Sequence, residues 1–163
     1  MIPIRPARRA DAPAISRLLI RSICGLCHAD HGGDAQIIAR WTANKAPESV
    51  ARWIVDASHP LFVAERVGRI AGTCAFSRTG RIVLNYVDPA HRFRGVSRAM
   101  LVHMEAELAR AGLQEATLSS TETAYRFYLA AGWRDAGPVE MAFGIPGYPM
   151  RKALSAKQSK HPA

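Results

Sequence analysis

Apolar positions along this chain keep a helical spacing at first, then alternate or run together, then return to helical spacing. Ile2 to Arg5 is a short strand-like run that Pro6 stops. Asp11 is placed to cap a helix in which Ile15, Leu18, Leu19, Ile23 and Leu26 recur at intervals of three and four, with Gly25 near its end. His28 to Gly33 reads as a loop rich in histidine, aspartate and glycine. Asp34 then caps a second helix carrying Ile37, Ile38 and Trp41, and Pro47 suits the first turn of a third, with Val50, Trp53 and Ile54 on one side.

After His59-Pro60 the period shortens. Leu61 to Arg66 and Arg69 to Ser77 are strand-like and separated by Val67-Gly68, a hairpin signal, and Thr79-Gly80 turns the chain into a third run, Arg81 to Val87. Asp88-Pro89 ends that run. Val96, Met100, Leu101, Met104, Leu108 and Ala111 then form one helical stripe that Gly112 closes. Glu115 to Leu118 is a short candidate strand, so the helix becomes a strand–helix–strand crossover and predicts a parallel pair. Ser119 and Glu122 have the spacing of a capping box for a helix ending at Gly132. Val139 to Phe143 and Tyr148 to Arg151 are strand-like, and 154–163 is a small, polar, basic stretch expected to be a disordered tail. No repeat or linker divides the chain, so 1–153 is expected to be one α/β domain, although this order of elements alone fits several α+β arrangements.

Composition narrows the class. The 163 residues are 48% apolar and 21% charged, ordinary for a soluble domain. No apolar run approaches the ~20 residues that span a bilayer, and the N-terminus lacks the apolar core and cleavage pattern of a signal peptide. Three cysteines fit a reduced chain, and a cytoplasmic location is expected. The net charge of +9 has three readings: nucleic-acid binding, arginine merely abundant along the chain, or attraction of an anionic ligand. No aromatic-plus-basic stacking motif or zinc-finger spacing supports the first.

Candidate chemistry concentrates in Arg92-Phe93-Arg94-Gly95-Val96-Ser97-Arg98, between a strand and a helix. The first amides of a helix lack intrahelical partners and carry partial positive charge, so with three arginines they form a phosphate cradle. An ordinary loop with solvated arginines is the plain alternative. Cys24-x-x-Cys27-His28-x-x-His31 offers four potential metal ligands, but the spacing is compressed and no metal is expected.

Arg92-x-x-Gly95-x-Ser97 resembles the Gln/Arg-x-x-Gly-x-Gly/Ala signature of the GNAT superfamily of N-acetyltransferases, which binds the pyrophosphate of acetyl-CoA. Asn85-Tyr86-Val87-Asp88-Pro89 resembles that family's fourth strand and its exit. Thr121-x-x-Ala124-x-x-Phe127-Tyr128-x-x-x-Gly132-Trp133 resembles its Asn-x-x-Ala-x-x-Phe-Tyr-x-x-x-Gly-Phe segment. The chain departs at Ser97, at Phe93 where glycine is common, and at Thr121 where asparagine is usual. The resemblance implies a mostly antiparallel sheet of about six to seven strands, helices on both faces, and a parallel pair splayed at the cofactor site.

It also implies roles. The cofactor would be held by Tyr86, Val87, Arg92, Phe93, Arg94, Gly95, Val96, Ser97, Arg98, Thr121, Ala124 and Tyr128. Tyr86 and Val87 would offer backbone bonds to the pantetheine arm, and an amide near Val87 would polarise the thioester carbonyl. Tyr128 matches the tyrosine that serves as general acid to the departing thiolate. The acceptor would meet His28, Asp30, His31 and Asn85. His28, His31, Asp30, Asp34, Asp88 and Glu140 are all open as general base, as is a water relay. The implied activity is direct acetyl transfer from acetyl-CoA to a primary amine, without a metal. The alternatives are an acyl-CoA-binding regulatory domain without turnover, or an acetyltransferase for an RNA-linked or protein amine. A small-molecule or peptide acceptor is expected, with a homodimer possible and no dedicated nucleic-acid or membrane partner.

Overall fold

The computed structural model describes residues 1–155. Four strands, β1 (Ile4–Pro6), β2 (Leu61–Arg66), β3 (Arg69–Phe76) and β4 (Ile82–Val87), form an antiparallel sheet in that order. A second sheet contains β5 (Glu115–Ser120), β8 (Ile145–Ala153) and β6 (Arg134–Asp135), with β7 (Glu140–Ala142) also pairing with β8. The eight strands among the described residues form two antiparallel halves of the expected mixed α/β arrangement. Among the described residues they are joined by one parallel bridge, Arg81 to Thr117, with Thr117 N–H donating to Gly80 O at 2.9 Å. Beyond that bridge β4 and β5 separate, and the separation makes the site.

Strand alternation sends successive side chains to opposite faces. Cys74, Phe76 and Ile82 pack with Met100, Leu101, Met104 and Leu108 of α5 (Val96–Arg110). Ala75, Leu84 and Tyr86 turn to the other face, against Ile15 and Leu19 of α1 (Ala12–Leu26) and Val50 of α4 (Pro47–Ile54), the irregularity opposite Ala75 and Phe76 reversing the parity of β4 between Ile82 and Leu84. Helices therefore cover both faces, as expected. Between α1 and α4 lie α2 (His28–His31) and α3 (Ala35–Thr42), with Asp34 capping α3 through Gln36 N–H and Ile37 N–H.

Several local expectations change. His28 to His31 is a short helix, not a loop. Asp11 does not cap α1 with its side chain; its carboxylate takes two bonds from Arg5 and one from Arg8 N–H, which ties β1 to the helix entry. No Ser119–Glu122 capping box forms. The cap of α6 (Glu122–Ala130) is Thr121, whose hydroxyl accepts from Ala124 N–H at 3.1 Å. Threonine two residues later wins because β5 runs on through Ser120, leaving Ser119 in the ladder opposite Pro149. At the C-terminus, Leu154 N–H bonds Gln114 O and its side chain packs on the core, so the stretch expected to be disordered is anchored there. The rest of that expectation, 156–163, lies outside the described residues.

Candidate acetyl-donor site

The phosphate-cradle reading can be followed atom by atom. Gly95 stands at the N-cap of α5 with φ +79°, a left-handed conformation that glycine adopts without strain, and no side chain caps the helix. The first intrahelical bond runs from Ala99 N–H to Gly95 O at 3.0 Å, so Val96, Ser97 and Arg98 amides have no helical acceptor. Arg92, Arg94 and Arg98 are exposed around this end. Phe93 also has positive φ (+61°) and is 89% exposed, with the Arg92 guanidinium 4.6 Å from its ring centre. Its backbone keeps the conformation a glycine would favour, and the side chain simply projects to solvent.

This helix end opens on a cavity of about 570 Å³ between β4 and β5. Asn85, Tyr86 and Val87 line one side, Leu118, Ser119 and Ser120 the other, and Thr121, Ala124, Phe127 and Tyr128 the floor. Ser22, Leu26, Cys27 and His91 complete it. Of the residues expected to hold the donor, all but Arg94 border this one space.

Register decides which backbone groups face that space. Asp88 N–H donates to Ala71 O at 2.8 Å, which makes Ala71 and Asp88 a hydrogen-bonded pair of the β3–β4 ladder. Such pairs alternate, so Thr73 and Tyr86 are bonded in the same way, whereas Asn85 and Val87 turn their N–H and C=O away from β3 toward the gap. The expectation of backbone bonds from Tyr86 is thus corrected: its backbone belongs to the ladder, and Val87 with Asn85 offers the free edge. Tyr86 contributes a half-buried side chain instead, packed against Ile23, Cys27, Trp41 and Ile145.

Tyr128 is 6% exposed at the base of the gap. Burial pushes its phenol up to about 12, opposed by a hydrogen bond from Asn85 Nδ2 at 3.4 Å to the phenol oxygen. That bond leaves the phenolic proton available to another acceptor. Asn85 Oδ1 and His91 Nδ1 are buried without a partner among the described residues. Orphaned polar atoms in the wall of a cavity mark where a polar ligand completes the bonding. Free helix-end amides, arginines and these atoms together fit a phosphate-bearing donor with amide groups along its arm.

The early segment behaves differently. His31 is 3% exposed, with Nε2 2.8 Å from Ile23 O and Nδ1 accepting from Gly33 N–H at 2.9 Å. Both ring nitrogens are engaged, so the imidazole fastens α2 to α1 and is corrected from acceptor contact to structural tie. Asp30 accepts from Glu122 N–H at 2.7 Å and from both Thr123 N–H and its hydroxyl. It caps α6 from a distance in sequence no capping pattern could reveal, with its negative charge at the positive end of the helix. His28 is exposed and borders neither cavity. Of the four residues expected to meet the acceptor, Asn85 alone lines the larger cavity.

Asp30→Ala is expected to destabilise the fold by about 1–2 kcal/mol, the range for losing a helix cap. A urea melt checks it. Retained stability with a raised acceptor KM would instead restore the acceptor role.

A smaller cavity of about 260 Å³ lies alongside and shares Ile82, Val83, Tyr86, Ser119, Ser120 and Thr121 with the first. Its other walls are Trp41, Arg81, Ala142, Phe143, Ile145, Pro146 and Gly147. Only Tyr86 and Thr121 among these residues were expected from the sequence to belong to a site, because β7 and β8 reach β4 only through the sheet contact. Among the described residues no three His, Cys, Asp or Glu side chains converge as metal ligands, and no helix is long and apolar enough to cross a membrane.

A polar helix end, a free strand edge and a buried phenol around one gap are the parts of a group-transfer enzyme. Residues 27–154 match the family model described as an acetyltransferase (GNAT) domain, so the chain belongs to the GNAT family and is an acyltransferase by that membership. Among solved structures it is similar to the GCN5-related N-acetyltransferase from Rhodopseudomonas palustris, with TM-score 0.85, 19% identity, and 94% of this chain and 96% of that one covered. It also resembles PaiA N-acetyltransferase from Thermoplasma acidophilum in complex with coenzyme A (TM-score 0.76, 17% identity, 94% and 99% covered). A third is yncA, a putative acetyltransferase from Salmonella typhimurium with acetyl-CoA (TM-score 0.66, 20% identity, 100% and 99% covered). Among curated proteins none matches.

Proposed function

We propose that this protein transfers an acetyl group from acetyl-CoA directly to a primary amine while both are bound. The observation that carries the reading is the continuity of the gap: it runs from the uncapped end of α5 to the free edge of β4 and ends at Tyr128. Acetyl-CoA supplies an activated acetyl group on a thioester, and the PaiA and yncA structures, solved with coenzyme A and acetyl-CoA, share this chain's fold.

In this reading Val96, Ser97 and Arg98 amides take the pyrophosphate, with Arg92, Arg94 and Arg98 adding charge. Ser97 serves because the contact is its amide, and a small side chain leaves that amide open. The Thr121 hydroxyl is engaged as the cap of α6, so it supports the donor by holding Ala124 and the helix in place. Val87 N–H, directed into the gap, is placed to polarise the acetyl carbonyl. Tyr128 offers its proton to the leaving sulfur, while Asn85 Nδ2 steadies the phenol oxygen. Because the phenol is held near 12 and a free thiol titrates near about 8.5, Tyr128 acts mainly as a hydrogen-bond donor to the thiolate rather than by full proton loss.

The test is calorimetric titration with acetyl-CoA and with free coenzyme A. Binding should weaken by about tenfold in Arg94→Ala and in Arg98→Ala, as expected for an exposed charge-assisted contact to phosphate. Affinity unchanged in both, or no binding by the native protein, would make the loop a structural turn.

A further inference from the structure

The smaller cavity opens onto the same gap between β4 and β5 and has no acidic residue in its lining. Its body is aromatic and aliphatic: Trp41, Phe143, Ile145 and Pro146 stand opposite the shared residues. Arg81 is the one charged residue lining it. Resting on the acetyl-transfer reading, we propose that the acceptor is a monoamine carried on an aromatic or apolar body seated in this cavity, and that polycationic amines are excluded.

Three observations converge on that class. First, no carboxylate lines the cavity, and Asp30, the acidic residue expected from the sequence to meet the acceptor, is already bonded to Glu122 N–H and Thr123. Second, Arg81 lines the cavity and a second cation lies behind its wall. Lys45, itself 4% exposed, donates from Nζ to Trp41 O at 2.7 Å and Asn44 Oδ1 at 2.9 Å, and lies 5.2 Å from the Phe143 ring centre. It ties together the two aromatic walls and adds positive charge behind them, in a chain whose net charge is +9. A second or third ammonium on the acceptor would meet repulsion with no counter-charge.

Third, Phe143 occupies the β7–β8 turn with φ +56°, followed by Gly144 at +83°. Turns with two positive φ values are normally built from asparagine or aspartate followed by glycine. A bulky aromatic residue there costs about 1–2 kcal/mol, and of the described non-glycine residues with positive φ, Val67, Phe93 and Phe143, only Phe143 lines this cavity.

The apolar wall also explains how the reaction proceeds without a conspicuous base. Desolvation disfavours a charged amine, so an ammonium entering this cavity loses its proton to water more readily than it would in solution. The neutral nitrogen then forms a bond to the acetyl carbonyl carbon as the carbon–sulfur bond breaks. The electron pair leaves with sulfur, which ends protonated, and the nitrogen loses one further proton, giving amide and free thiol.

Initial rates of thiol release from acetyl-CoA should be compared for 2-phenylethylamine and spermidine with the full chain. The expected result is kcat/KM at least about 100-fold higher for 2-phenylethylamine, the range in which pocket contacts discriminate. In Phe143→Ala, KM for that amine should rise about tenfold, with acetyl-CoA affinity within twofold of native. If acetyl-CoA binds but spermidine is preferred, or neither amine is acetylated, the monoamine class is overturned and the donor site stands. If acetyl-CoA does not bind, both readings fall. The comparison of amines needs only the native chain, so an unstable variant would not obscure it.

Discussion

Tyr128→Phe is expected to lower kcat by about 10²- to 10³-fold, the range for losing one positioned hydrogen-bond donor to developing charge, while acetyl-CoA binding stays close to native. The ring remains, so its packing against Phe127 and Trp133, with ring centres 5.1 and 5.9 Å away, is preserved. Only the hydroxyl and its bond from Asn85 are lost. Rates at saturating acceptor and calorimetric affinity, measured together, separate this outcome from a general loss of structure. A variant that turns over at the native rate would remove Tyr128 from the chemistry and favour a donor-binding domain without turnover. The pH profile adds a second check. Burial holds the phenol near 12, so it keeps its proton below that pH, and its ionisation should cause no fall in kcat through pH 10. A descending limb near pH 10 that vanishes in Tyr128→Phe would contradict the buried setting.

Gly72→Ala is expected to weaken both the fold and the donor site. A methyl group on Gly72 of β3 would stand 2.7 Å from Met100 Cε and 2.8 Å from Val96 Cγ1. Both neighbours are buried, and Val96 is β-branched, so neither can swing aside into open space. Overpacking of this kind costs about 1–3 kcal/mol, a fall in Tm of about 2–12 °C for a chain of this size. Val96 and Met100 are in the first turns of α5, and relief of the clash would move the helix end whose amides face the cavity. Acetyl-CoA affinity should therefore fall along with Tm, as a thermal melt and a titration on the same sample would show. Unchanged values for both would mean that β3 and α5 repack without displacing the loop.

Trp133 illustrates how the second motif is coupled to the first. Its indole N–H donates to Glu105 Oε1 at 3.0 Å, and Glu105 also receives Lys152 Nζ at 2.9 Å through its other oxygen. Glu105 lies on α5 and Trp133 just beyond α6, so the helix that presents free amides and the helix that presents Tyr128 share one anchor. The sequence pattern marks both segments as important without revealing this link.

The sequence by itself determined the features that depend on neighbours along the chain. Spacing of apolar residues gave the helices from Ala12, Ala35, Pro47 and Val96, and the hairpin at Val67-Gly68, because helix and strand periods are local properties. Arg92 through Arg98 was legible as an anion cradle for the same reason: a strand end, a glycine and a helix start are adjacent in the chain. Tyr128 was legible only through its motif, since an aromatic helical face reads the same whether it lines a cavity or a core. Tertiary structure decided what depends on distant partners. It turned Asp30 into a cap for α6 and His31 into a tie to α1, roles set by contacts 92 and 8 residues away that no local pattern encodes. It also fixed the ladder parity that gives the free edge to Val87 and Asn85 rather than Tyr86, because a one-residue change of register exchanges which backbone groups face a neighbour. The smaller cavity belongs wholly to this second kind, its walls contributed by α3, β4, β5, β8 and the β7–β8 turn, which meet only when the two sheets join.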